Sequence, residues 1–326
     1  MSECGVNVPV LLIFWERPDV LRETFNAIKQ ARPSTLLLWQ DGPRGEAGVK
    51  DIEECRKIVE DIDWDCKVYR MYNEVNYGCD PSTFYAHKWA FSIVDRCIVL
   101  EDDVVPSQSF FRFCEEMLEK YKEDTRINKI CGMNQVKTLK CEDSYLFSSV
   151  SSVWGWATWK RVAETWDEEY AFLQDEKAMR LLEQTRKDKA YKNYLLVCKQ
   201  HKKSGRAHWE TIQTFSRNLN SQINIIPAKN LIHNIGLGNK STHSNTQLNC
   251  LPKAVREAFY CDSQELEFPL KHPKYVIEDH DYKKKLFKII GKNNPLKRFL
   301  FRIEGVFLRI KHIGLRKTLA RIFKKK

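Results

Sequence analysis

The stretch RCIVLEDDVVPSQSFF, residues 96–111, decides how the rest of the chain is read. Its mostly apolar residues, up to Leu100, run straight into Glu101, Asp102 and Asp103. An apolar pair, a proline and an amphipathic segment follow. A short apolar run of this kind has the pattern of a strand covered on both faces. Three adjacent carboxylates at its end repel one another, and acids beside a core cost free energy unless something offsets them. A bound cation is the usual offset. Magnesium or manganese commonly takes one or two carboxylates together with substrate phosphates. The plainer alternative is a solvated acidic turn; the place at a strand's carboxyl end favours the cation.

Toward the N-terminus the same alternation repeats. VPVLLIFW (8–15) is a continuous apolar run of strand length. Pro18 falls where a helix begins, and Leu21, Phe25 and Ile28 recur at helical spacing. TLLLW (35–39) is a second strand, closed by the turn DGP. Residues 50–61 read as a helix, CKVYRM (66–71) as a strand, NYG (76–78) as a turn and residues 80–94 as a helix. Phe110, Cys114, Met117 and Tyr121 mark the helix after the acidic motif. This β-α-β-α-β-α-β order predicts an α/β fold: a mostly parallel, Rossmann-like sheet flanked by helices. In such sheets ligands sit outside the carboxyl ends of the strands. The rule selects Glu16-Arg17, Gln40-Asp41-Gly42 and Glu101-Asp102-Asp103 as one polar edge.

The second half is less regular. SSVWGWATWKR (151–161) is dense in tryptophan and glycine, and residues 172–203 look helical and charged. GRAHWETIQTFSRNL (205–219) reads as the start of a helix, and INIIPAKNLIHNIG (223–236) as two short strands about Pro227. Of the 326 residues, 43% are hydrophobic and 30% charged, a globular rather than a disordered composition. No run of eighteen apolar residues occurs, so no membrane span is expected. The N-terminus has no basic start and no small-residue cleavage site, so its apolar run is expected to be a core strand and not a signal peptide. Eleven cysteines lie without CxxC pairs, the pattern of reduced thiols filling a core in a cytosol.

Several side chains carry both a chemical and a plain reading. Arg17 can clamp a phosphate or base, or lie exposed beside a helix start. Asp41 can accept from a base or ribose, or close the turn before Gly42-Pro43. His87 and Lys88 can reach a pyrophosphate, or sit on a solvated helix face. Trp154, Trp156 and Trp159 can stack on sugar rings or pack the core. Glu210, beside Trp209, can act as a general base or be a surface glutamate. The Gly-rich segment NIGLGNKSTHS (234–244) can close over phosphates, with His243 as a metal or phosphate ligand.

Taken together, FWERP, QDGP, VLEDDV followed by a Phe-Phe helix, and WGWATWKR resemble bacterial glycosyltransferases of the GT-A fold. A more distant resemblance is to the N-acetylglucosaminyltransferase I family. The resemblance covers about residues 8–245. It implies a nucleotide-sugar donor, usually UDP-linked, and a divalent metal, manganese or magnesium. It places Arg17 and Asp41 on the nucleoside and Glu101 and Asp102 near the ribose and donor sugar. Asp103 becomes the metal ligand, with His243 as a second candidate. Trp154, Gly155, Trp156 and Trp209 would form the sugar and acceptor pocket, and Glu210 stands where the family carries its catalytic carboxylate. That residue is typically aspartate, so glutamate is a departure.

The expected activity is therefore a metal-dependent inverting glycosyl transfer from a UDP-sugar to a glycan or lipid-linked acceptor in cell-surface polysaccharide synthesis. A sugar-nucleotide pyrophosphorylase shares the broad fold, but no GxGxR-like N-terminal signature is present. A donor-binding scaffold without turnover remains the third reading. The net charge of +11 suggests nucleic acid, yet residues 281–326 hold sixteen Lys and Arg against two acids, so the basicity belongs to a tail. Within it Leu296, Phe299, Leu300, Ile303, Val306, Phe307, Ile310 and Ile313 recur at helical spacing among basic residues. That pattern predicts an amphipathic helix lying on an anionic membrane surface, at the inner face of the cell membrane, or else packed on the domain. The expected organisation is a catalytic domain over 1–250, with its nucleotide half to about 135, a linker over 251–280, and the basic tail over 281–326.

Overall fold

The computed structural model describes residues 5–136, 141–185, 189–237, 247–292, 294–316 and 318. The chain opens with strand β1 (Val10–Phe14), helix α1 (Pro18–Ala31), β2 (Thr35–Gln40), α2 (Val49–Val59) and β3 (Lys67–Tyr72). It continues with α3 (Cys79–Ile93), β4 (Arg96–Glu101), the short β5 (Val104–Pro106) and α4 (Gln108–Lys120). Three strands follow, β6 (Ile127–Cys131), β7 (Tyr145–Ser148) and β8 (Trp156–Trp159), then α5 (Lys160–Ala163), α6 (Glu176–Thr185), α7 (Lys189–Ser204) and α8 (Trp209–Leu219). The C-terminal part has β9 (Ile223–Pro227), β10 (Ile232–Asn234), α9 (Lys253–Phe259), α10 (His280–Ile289) and α11 (Pro295–Ile313).

Eight strands form one sheet in the order β3-β2-β1-β4-β8-β6-β9-β7. The first four are mutually parallel, as their helical crossovers require. This is the expected α/β, mostly parallel, Rossmann-like architecture. Its apolar runs are continuous because both faces are covered. Val10, Leu12, Phe14, Leu36, Leu38, Ile98 and Leu100 face one core, with Leu21 and Phe25 of α1 and Phe110 and Phe113 of α4. Leu11, Ile13, Leu37, Trp39, Cys97 and Val99 face the other, under Phe84 of α3 and Trp209 and Phe215 of α8. Each such side chain contributes roughly 1.5–3 kcal/mol when fully buried.

The second half of the chain extends the same sheet, and here the sequence reading is corrected. Strands β6, β7 and β8 were not expected. β8 pairs antiparallel with both β4 and β6, so it inserts between the two halves. Its sequence, WATW, is part of the tryptophan box, and all four residues are buried. Gly155 leads into it with φ +59, and a Cβ there would lie 2.4 Å from Ile232 Cδ1, so only glycine permits this approach.

Residues 251–280, expected as a linker, lie against the domain: Cys261, Leu266 and Leu270 belong to its core. The basic tail also begins inside the domain. Tyr282 and Leu286 of α10 are buried with Cys131, Leu146 and Ile226. Beyond α10 the pattern changes. In α11 only Gly305 is buried, against Pro252, while Glu304 accepts from the Lys253 amide at 2.9 Å. Leu296, Phe299, Leu300, Ile303, Phe307 and Ile310 are 38% to 67% exposed. Among the described residues no helix is long and apolar enough to cross a membrane.

Candidate functional site

β1 and β4 are parallel neighbours, with Ile13 opposite Glu101. Their carboxyl ends therefore bring Arg17 and the three acids together where the strand order reverses; Glu101 and Asp102 line a crevice there, and Asp103 is held beside it by Arg17. The Arg17 guanidinium spans both aspartates. Its Nε donates to Asp102 Oδ2 at 3.2 Å and its Nη1 to Asp103 Oδ2 at 2.8 Å, while Nη2 pairs with Asp102 Oδ1. The Trp15 amide also reaches Asp102 Oδ2, at 3.4 Å. Asn234 Nδ2 donates to Asp103 Oδ1 at 3.3 Å.

Burial works against the Arg17 charge, and the two aspartates outweigh it, so the guanidinium is held firmly protonated. Burial raises the Asp102 carboxyl against the pull of Arg17. Glu101 is pushed well above the usual carboxylate range, first by burial and then by the charges of Asp103, Asp102 and Glu210. The last of these places Glu210 within electrostatic reach of the acidic strand end.

Asp41 lines the same crevice, and donors within the chain already engage it. The Tyr77 and Gly78 amides reach it at 2.9 and 3.0 Å, and Asn76 Nδ2 at 3.1 Å. It shapes the turn that leads into α3, and burial raises its carboxyl. The crevice is narrow, a cavity of about 60 Å3, because the Arg17 side chain lies across its acids. The donor set is all oxygen, which suits a hard divalent cation. Asp103 is the less enclosed of the two aspartates, with its side chain 13% exposed against 4% for Asp102. It fits ligation by one carboxylate plus phosphate oxygens, provided Arg17 yields Asp103 Oδ2. Among the described residues no three His, Cys, Asp or Glu side chains form a metal group by themselves. His243 lies outside the described residues.

The tryptophan assignments change. Trp156 and Trp209 are 1% and 3% exposed and stack on each other, with ring centroids 6.1 Å apart and planes 8° apart. They are core side chains that hold α8 on the sheet and offer no open face to a sugar. Gly155 serves the backbone turn described above. Trp154 alone of the four expected pocket residues lines an open cavity, backed by Phe259 and Tyr260. His87 is not on a solvated face either. It is fully buried among Trp156, Trp166 and Trp209, and burial, then the Lys129 charge, pushes its pKa down to about 3. Lys88 is exposed and pairs with Glu168 at 2.7 Å.

The open cavity has a volume of about 810 Å3. Lys129 of β6 and Asn224 of β9 line it from the sheet, Glu210, Gln213 and Arg217 from α8, and Ser149–Trp154 from the loop before β8. Lys283, Leu286 and Phe287 of α10 complete its rim. Glu210, in the first turn of α8, is exposed here. Sequence reasoning missed the lining residues Lys129, Gln213, Arg217 and Asn224. The signal was present for one of them: Lys129 interrupts the otherwise strand-like INKIC.

No family model matches the chain, and no curated protein matches it in sequence. Among solved structures, the inositol-1-phosphate CTP transferase from T. maritima aligns with TM-score 0.24 and 9% identity. That alignment covers 46% of this chain and 56% of that one, so the chain spans little more than half of its length. Mouse xyloside xylosyltransferase 1, apo form, aligns with TM-score 0.31 and 12% identity, covering 66% of this chain and 81% of that one. At such TM-scores neither likeness bears on activity.

Lys129 generates a prediction about stability. The residue is 3% exposed; its ammonium donates to Gln213 Oε1 at 2.7 Å and lies 5.3 Å from the centre of the Trp156 ring. Burial pushes its pKa down to about 8 from 10.5. Below pH 8 both folded and unfolded states carry the proton, so the full cost of burying the charge is present. Between about 8 and 10.5 the folded state releases its proton first and the cost declines. Lys129→Met is therefore expected to raise stability at pH 7 by up to roughly 3 kcal/mol, less the lost Gln213 bond. The gain should fade by pH 10.5. Urea unfolding of both proteins across that range measures it.

Proposed function

We propose that the protein is a glycosyltransferase that moves a sugar from a UDP-sugar to an acceptor held in the large cavity. The observation that carries this reading is the position of Glu210. It lines the acceptor-sized cavity from the first turn of α8, and its charge helps to raise the Glu101 carboxyl at the acidic strand end. A carboxylate that faces an open cavity can take the proton of an acceptor hydroxyl. The oxygen then attacks the anomeric carbon, the bond to the diphosphate breaks, and configuration inverts in a single displacement.

Asp103 would hold a divalent cation, manganese or magnesium, which supplies charge neutralisation for a departing diphosphate. Arg17 puts positive charge at the same place. Donor binding requires it to exchange a carboxylate for a phosphate oxygen, which also opens the crevice. The cavity's site beside the tail suits an acceptor presented at a surface, as a glycan or a lipid-linked sugar. The exposed apolar stripe of α11, flanked by Lys297, Arg298, Arg302 and Arg309, supports docking on an anionic leaflet. Each basic residue near such a surface contributes about 1 kcal/mol.

Three outcomes are expected. Asp103→Ala should lose manganese-dependent UDP binding by calorimetry and keep its circular dichroism spectrum; unchanged UDP affinity would remove Asp103 from the donor site. Glu210→Gln should bind UDP normally and transfer sugar about a hundredfold or more slowly. A near wild-type rate in a UDP-release assay would send the search for the base elsewhere. The double variant Phe299→Asp, Phe307→Asp should no longer float with anionic liposomes at low salt, whereas the wild type floats and is released by high salt. Equal flotation of the two proteins would rule out α11 as the contact.

A further inference from the structure

The large cavity contains more cationic chemistry than a neutral sugar needs. Lys129 is buried at its inner end, and its hydrogen-bond partner is an amide, not a carboxylate. Among the described residues no ion pair of Lys129 is found. Buried charges in folded proteins are ordinarily paired, because an unpaired one costs several kcal/mol. Arg217, Lys283 and Lys292 line the same space, against the carboxylates of Asp80 and Glu210. Arg217 is oriented by the Ser149 carbonyl; Lys283 is held by Ser149 Oγ at 2.9 Å and pairs with Glu278 at 3.6 Å.

Two further groups point to a ligand. Gln213 Nε2 and Asn224 Oδ1 are buried and have no hydrogen-bond partner, and both residues line the cavity. The Gln213 amide cannot turn over to relieve this, because its oxygen is held by the Lys129 ammonium. Asn224 is likewise fixed, through Nδ2 to the Ser148 carbonyl at 3.1 Å. Unsatisfied buried polar groups are rare in native proteins and call for a partner. Here the orphans are one donor, on the amide that holds the ammonium, and one acceptor on a second residue of the same cavity. A phosphate oxygen suits the first and a sugar hydroxyl the second.

We infer that the cavity recognises an acceptor sugar bearing a phosphate ester, with Lys129 as the innermost contact for the phosphate and Arg217 and Lys283 beside it. This rests on the glycosyltransferase reading for the word acceptor, while the phosphate site stands on the cavity itself. The apolar rim of Leu286, Phe287 and Ile290 leaves room for the ester's other substituent to be a lipid, so a free and a membrane-held phosphate share this chemistry.

The test titrates the full chain with glucose 1-phosphate, with methyl glucoside, and with dodecyl phosphate in phosphatidylcholine vesicles. Glucose 1-phosphate should bind at least tenfold more tightly than methyl glucoside. Lys129→Met should remove that preference, and Lys283→Gln should weaken it by a smaller factor. Neither variant should change UDP binding, and Asp103→Ala should keep the phosphate preference. Lys129-dependent binding to the dodecyl phosphate vesicles as well assigns a membrane-held acceptor; binding of the soluble ester alone assigns a free sugar phosphate. Equal affinity for the phosphorylated and neutral sugars overturns the inference. So does a Lys129→Met variant that holds glucose 1-phosphate within twofold of wild type. Glucose 1-phosphate binding without any UDP binding supports the phosphate site and rejects the donor reading alone.

Discussion

Arg17, after β1, bridges the two consecutive carboxylates that follow its parallel neighbour β4, and much of the site depends on that contact. Without it Asp102, almost wholly enclosed, would be a buried and uncompensated charge. Breaking such a pair by deleting one partner typically costs 3–5 kcal/mol. The bridge also ties the loop after β1 to the loop after β4, and so sets the shape of the crevice between them. It closes that crevice as well. The group that stabilises the resting fold is also a cation lining the crevice, so under the proposed donor site stability and ligand binding would compete for one guanidinium.

A second enclosed cation, Lys129, lines the cavity that Glu210 also lines, with the opposite problem. Arg17 has two carboxylates, whereas Lys129 has an amide and an aromatic face. The two cations differ in how their charge is met: by carboxylates for Arg17, and by no carboxylate for Lys129 among the described residues. Glu210 lines the cavity from the first turn of α8. That helix is held by the Trp156–Trp209 stack, and Phe215 is stacked by Phe172 and Tyr194 in the same core. The tryptophan box thus supports the site through rigidity. It places the first turn of α8 over the sheet and leaves the loop of residues 149–154 free to form the cavity wall.

Sequence and structure agree best where the chain is most repetitive. β1, β2 and β4 were legible because both their faces are covered, which turns them into uninterrupted apolar runs ending in polar loops. β7 and β8 were not. Each has four residues, too few to show a period, and β8 is written in tryptophans that read equally well as a ligand surface. His87 and Lys88 show the same limit at one residue's resolution. They are neighbours on α3, and the helix turns one into a cluster of indoles and the other into solvent. Nothing local separates them, since the indoles come from β8, α8 and the segment between.

By itself the sequence determined the α/β class, the parallel first half and the meeting of Arg17 with the acidic motif. These follow from periodicity within a strand or helix and from the rule that parallel strands present their carboxyl ends together. The tertiary structure alone decided that β8 inserts antiparallel, that Trp156 and Trp209 are core, and that α10 lines a cavity while α11 stays open. Only there do Lys129, Gln213 and Asn224, drawn from two strands and a helix, enclose one space. The physical reason is that burial and unpaired polar groups are properties of contacts between distant segments, and no local pattern encodes who the neighbour will be.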